Sequence, residues 1–135
     1  MKKVLFWVAS FTWGLPLTLF GSLVAIILLI AGYKPKRFHW FIYFEVGEDW
    51  GGFEGGMFII TCKNPHKTLL QHEAGHGIQN IMFGFLMPFI VSIPSAIRYW
   101  YRTISYDNKG LKPKTDYYDI WFEKQANELG QKYFK

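Results

Sequence analysis

The stretch Thr68-Leu69-Leu70-Gln71-His72-Glu73-Ala74-Gly75-His76-Gly77-Ile78-Gln79-Asn80 decides how the rest of the chain is read. Histidines four residues apart share one face of an α-helix, and two neutral imidazoles on one face suit a zinc ion. Glu73 sits beside them in the H-E-x-x-H arrangement, where it can serve a metal-bound water as general base. Thr68, with Gln71 three residues on, has the form of a capping box, so the helix is expected to start at about Thr68. At 3.6 residues per turn, His72, His76, Gln79 and Asn80 fall on a polar face, and Leu70, Ala74, Ile78 and Ile81 on a packing face. Gly75 and Gly77 each cost a helix about 1 kcal/mol relative to alanine. That cost points to a strand edge or a second helix lying close to the backbone.

A hydrolytic zinc site takes three protein ligands and keeps one position open. The third ligand is expected on a second amphipathic helix, Thr115 to Gly130, with Asp116 and Asp119 biasing its start and Gly130 as its stop. Phe122, Ala126 and Leu129 form the apolar stripe of that helix, and Ile120, Glu123, Asn127 and Gly130 share the adjoining face. A glutamate buried there without a partner is costly, and a metal ion removes the cost, which makes Glu123 the expected third ligand. Glu128 faces away, and Asp119 and His66 are the other competitors. Asn127, one turn on, can hydrogen-bond the second nitrogen of a ligating histidine, or bridge two helices instead. Tyr117, Tyr118 and Arg98 are near enough to donate to a transition state, but spacing specifies none of them.

The chain has 135 residues, half of them apolar and a fifth aromatic, which suits one domain with ample material for a core. Its single cysteine, Cys62, forms no intrachain disulfide and reads as a buried small hydrophobe. The net charge of +5 comes from scattered lysines and arginines interleaved with acids, so nucleic-acid binding is not expected.

Val4 to Ala31 carries no charged residue over 28 positions and is flanked by Lys2, Lys3 and by Lys34, Lys36, Arg37. That length exceeds the roughly 20 residues of a membrane-spanning helix, whereas a cleaved signal peptide would have a shorter apolar run and a small-residue cleavage site. Gly14 and Pro16 are positioned either to kink the first half or to place the helix start near the interface, where Trp7 and Trp13 would sit, leaving Leu17 to Ala31 as the core of the span. The small basic excess after it favours a cytoplasmic C-terminal part. Met82 to Ile97 is again uncharged for 16 residues but holds Pro88 and Pro94, so a second membrane-embedded segment and a buried soluble helix are both open. Between these runs, Phe38 to Val46 and Met57 to Thr61 read as two strands of a hairpin joined by the glycine-rich Gly47 to Gly56. His39 and Glu54 fall in this region without ligand spacing.

His72-Glu73-x-x-His76, followed 47 residues later by Glu123-x-x-x-Asn127, resembles the gluzincin class of zinc metallopeptidases, in which the second motif is Glu-x-x-x-Asp. Asn127 stands where that pattern has aspartate. Trp13 to Pro16, Gly51 to Gly56, His72 to Gln79, Pro94-Ser95 and Trp121 to Asn127 are also similar to segments of small bacterial membrane-associated metallopeptidase-like proteins. The resemblance implies an α+β, helix-dominated, minimal zincin-like fold. Residues 1–33 would be the membrane helix with its flanks and 34–135 the metallopeptidase domain, containing a hairpin, the His72–His76 helix, a buried apolar helix and a C-terminal helix bearing Glu123. It implies Zn2+ as cofactor and the bacterial inner membrane as location, but brings no substrate; the first functional class is a membrane-anchored zinc peptidase acting on membrane-proximal or small protein substrates. Two other classes stay open: an inactive scaffold held together by zinc, and a metal-free membrane interaction module.

Overall fold

Aromatic and β-branched residues between Lys36 and Thr61 build a four-stranded sheet in the computed structural model, which describes residues 2–48, 50–112 and 119–135. The strands are β1 (Lys36–Phe38), β2 (Phe41–Glu45), β3 (Gly52–Gly55) and β4 (Phe58–Thr61), in the order β1-β2-β4-β3. The single hairpin expected from the sequence is therefore corrected. β2 and β4 pair in parallel, with Ile42 opposite Phe58 and Glu45 opposite Thr61, and β1-β2 and β3-β4 are the antiparallel pairs. Parallel neighbours need a crossover, and the glycine-rich connection supplies it by forming β3. Gly56, at φ +72°, then turns the chain back into β4.

The long uncharged run is two helices rather than one. Helix α1 (Lys2–Ser10) and helix α2 (Leu15–Ile30) meet at a bend of 91°. Proline has no N–H to donate and fits the first turn of a helix, so Pro16 starts a new helix instead of continuing the old one. Among the described residues no single helix is long and apolar enough to cross a membrane. The α1–α2 pair reaches that length and apolarity only as a bent unit, as does Lys67–Leu86 with Pro88–Ser105, bent by 116°.

Helix α3 (Lys67–Phe83) carries the two histidines. It begins one residue before Thr68, with His66 as the capping residue: the His66 carbonyl accepts the N–H groups of Leu69 and Leu70, and Thr68 is already inside the first turn. After α3 come a 3₁₀ turn (Gly84–Leu86), a π-helical turn (Pro88–Ser92) and helix α4 (Ile93–Ser105). The apolar helix expected to be buried here is only partly so. Met87 and Val91 pack on Leu17 and Phe122, while Phe85, Leu86, Phe89, Ile93 and Ile97 are exposed. Pro88 and Pro94 prevent a continuous helix, and the resulting bend turns only one edge of the segment inward.

Helix α5 (Trp121–Tyr133) starts later and ends later than the Thr115–Gly130 expectation. Thr115 to Tyr118 lie outside the described residues, and Ile120 caps the helix in extended conformation. Gly130 is not a stop but a contact, since a side chain there would collide with the Gln71 carbonyl of α3. Gly75 answers it from the other side, with the Ala126 carbonyl of α5 in the place a Cβ would take. The two helices therefore lie backbone against backbone. Gly77 in turn accommodates the Phe41 ring of β2, so a helix and a strand both crowd α3.

Phe6, Phe41, Ile59, Leu70, Ala74, Ile78 and Phe134 form the main core between α3 and the sheet. Cys62, expected to be buried, is half-exposed at the end of β4. Outside the core, α2 exposes Leu19, Leu23, Ile26, Ile27 and Ile30, the last at 82%, and Phe89 of the π-helical turn is 71% exposed.

Candidate metal centre

Three donors converge between α3 and α5. His76 Nε2 lies 2.9 Å and His72 Nε2 3.8 Å from Glu123 Oε1, and one ligand atom from each residue falls within 4.8 Å of the others. All three residues are buried, Glu123 completely. The four-residue spacing stacks the histidines along α3, and the close glycine-mediated approach of α5 brings Glu123 opposite them.

The second nitrogens of both imidazoles are engaged. His76 Nδ1 is 2.7 Å from Gln79 Oε1 and His72 Nδ1 is 2.9 Å from Asn127 Oδ1. Gln79 has one possible orientation, because its Nε2 donates to the Phe122 carbonyl and to Gln125 Oε1, both at 2.9 Å. Its Oε1 must then accept, so His76 Nδ1 carries a hydrogen and Nε2 is the nitrogen that faces Glu123, donating to it when the ring is protonated and offering a lone pair to a cation when the ring is neutral. Asn127 Oδ1 orients His72 in the same sense. Ser95, on α4, donates from Oγ to Glu123 Oε1 at 3.2 Å. Two imidazole lone pairs and a carboxylate aimed at one buried point are the donor set of a divalent cation such as zinc, and the three residues could hold one.

Burial, and secondarily the neighbouring His76, push the His72 pKa down to about 4, so its ring is neutral at neutral pH. For His76 burial acts in the same direction, but hydrogen bonding to Glu123 and the charges of Glu73 and Glu123 outweigh it and the pKa is raised. Glu73 is pushed up to about 7, by burial first and by Glu123, with His76 opposing. A carboxyl poised near neutrality can both take and return a proton.

Beside the centre lies a cavity of about 300 Å³. Glu73 and His76 open onto it, and Leu17, Phe20, Phe53, Met87, Val91 and Trp100 form apolar walls. The polar face expected on α3 is split by this arrangement. Asn80 turns away from the centre and donates to the Gly14 carbonyl at 3.2 Å, tying α3 to the α1–α2 bend. Of the other third-ligand candidates, Glu128, Asp119 and His66 are exposed and outside the cluster. Tyr117 and Tyr118 lie outside the described residues, and Arg98 does not line the cavity.

Sequence reasoning missed three residues. Ser95, Tyr99 and Glu54 come from elements distant in sequence, and no local spacing announces them. Tyr99 lines the cavity, and its hydroxyl accepts the Gly51 N–H at 3.3 Å. Comparison of the chain with protein-family models, curated proteins and solved structures returns no match.

Proposed function

We propose that this protein is a membrane-associated zinc peptidase of gluzincin type. His72, His76 and Glu123 would hold Zn2+, and Glu73 would be the general base. The observation that carries the reading is the convergence of two oriented imidazoles and a buried carboxylate beside a cavity onto which Glu73 also opens. When bound, zinc acidifies a water molecule and polarises the scissile carbonyl. Glu73 would take a proton from the attacking water and deliver it to the departing amine. Gln79 and Asn127 fix the ring nitrogens that face the ion, and Ser95 steadies Glu123. The cavity lined by His76 and Glu73 leaves room for substrate, which favours an active centre over a closed zinc staple.

The exposed apolar side chains of α2 and of the segment from Phe85 to Trp100 support bilayer contact, since soluble monomers rarely expose apolar patches above a few hundred Å². Peptides that reach the cavity along that face would be membrane-proximal. Cleavage of a quenched-fluorescent apolar peptide by the zinc-loaded protein in detergent tests the reading. Glu73→Gln should lower the rate by about 10²–10⁴-fold with zinc content unchanged. Equal cleavage by wild type and Glu73→Gln would remove Glu73 as base. A zinc-replete wild type with no peptidase activity would favour the inactive scaffold.

A further inference from the structure

The cavity contains a carboxyl group for which the metal centre has no use. Glu54, on the edge strand β3, is 7% exposed, and its Oε1 has no hydrogen-bond partner among the described residues. It lines the cavity with Glu73, between apolar walls that include Leu17, Phe53 and Val91. Burial, then the charge of Glu73, raises its pKa well above the ordinary carboxylate range, against a hydrogen bond from the Gly56 N–H. In its protonated form the group has one O–H to donate and a carbonyl oxygen to accept. A buried polar atom left unsatisfied destabilises the fold, and an apolar residue would fill this site at less cost. The missing partner is a ligand that is apolar over most of its length yet offers both an acceptor and a donor. An extended peptide with apolar side chains meets that description, because the N–H and C=O of one residue point to the same side.

We propose that Glu54 is a substrate-contacting residue whose carboxyl group bonds the C=O and N–H of one residue of an extended apolar peptide lying in the cavity beside Glu73. Taking a peptide as the ligand rests on the peptidase reading, but binding can be measured without turnover. The probe is N-acetyl-trileucine amide, added to the full chain in detergent micelles and followed at mixing through the fluorescence of Trp50 and Trp100, which line the cavity. Glu54→Ala and Glu54→Leu should weaken binding by about tenfold or more, and Glu54→Gln should recover most of that loss, since an amide offers the same donor and acceptor. The thermal midpoint of Glu54→Leu should equal or exceed that of wild type. Binding by Glu54→Leu as tight as wild type, a Glu54→Gln variant as weak as Glu54→Ala, absence of binding by wild type, or a lowered midpoint in Glu54→Leu would each overturn the proposal. Failure of the peptidase reading shows separately, as equal hydrolysis by zinc-loaded wild type and Glu73→Gln.

Discussion

His76 Nδ1 lies 2.7 Å from Gln79 Oε1, and the polarity of that contact is set from outside the ring. Because the Gln79 amide nitrogen is committed to Phe122 and Gln125, the oxygen can only accept, so Nδ1 keeps its hydrogen and Nε2 is the nitrogen that faces Glu123 and becomes bare when the ring is neutral. A residue one turn along α3 thus determines which atom of His76 is offered to a cation. Replacing Gln79 by leucine should weaken zinc binding about 10–100-fold, and Asn127→Ala should act similarly through His72. Competition against a fluorescent chelator measures both. An affinity within twofold of wild type in either variant would separate that amide from the centre.

Close approach of α3 and α5 is the second dependence. Gly75→Ala would drive a methyl group into the Ala126 carbonyl, backbone that cannot rotate away. Overpacking of this kind typically costs about 1–3 kcal/mol. Since the histidines and Glu123 ride on the two helices being forced apart, the variant should also lose zinc affinity. Thermal unfolding with and without added zinc checks this; a midpoint equal to wild type in both conditions would mean the helices can separate without cost.

The histidine pair and Glu123 were legible because helical phase is local. Residues 72 and 76, and residues 123 and 127, keep their relation wherever each helix starts, so a helix beginning at Trp121 rather than Thr115 leaves the face unchanged. The boundaries were less legible. Thr68 has the composition of a cap, but His66 takes the position and Thr68 lies within the first turn. The parallel pairing of β2 with β4 and the strand inside the glycine-rich segment depend on long-range contacts that alternation does not encode. Gly14 and Pro16 announced a kink, but not that it would reach 91° and leave no helix of spanning length among the described residues. Glu54 was passed over because it lacks ligand spacing, and its burial beside Glu73 arises only when β3 is seated against α3.

Acid–base linkage offers a test of Glu54 that does not depend on a ligand. Its pKa is raised in the folded protein by burial and by Glu73, so the folded chain keeps a proton that the unfolded chain releases above about pH 4.5. Stability from the protonated form is complete below that pH and declines as pH rises toward the folded-state pKa. Glu54→Gln has no such titration. The difference in thermal midpoint, Glu54→Gln minus wild type, should therefore grow in favour of the variant from pH 5 to pH 8 in metal-free protein. A flat difference over that range would mean that Glu54 ionises normally in the fold.

The zinc content of purified protein bears most directly on the centre itself. Plasma mass spectrometry of the wild type should find about one zinc per chain, as a three-ligand site with one open position requires, and His76→Ala and Glu123→Ala should each retain less than about a tenth of it. A wild type without zinc after loading, or equal zinc in all three proteins, would contradict the assignment of His72, His76 and Glu123 as a metal centre.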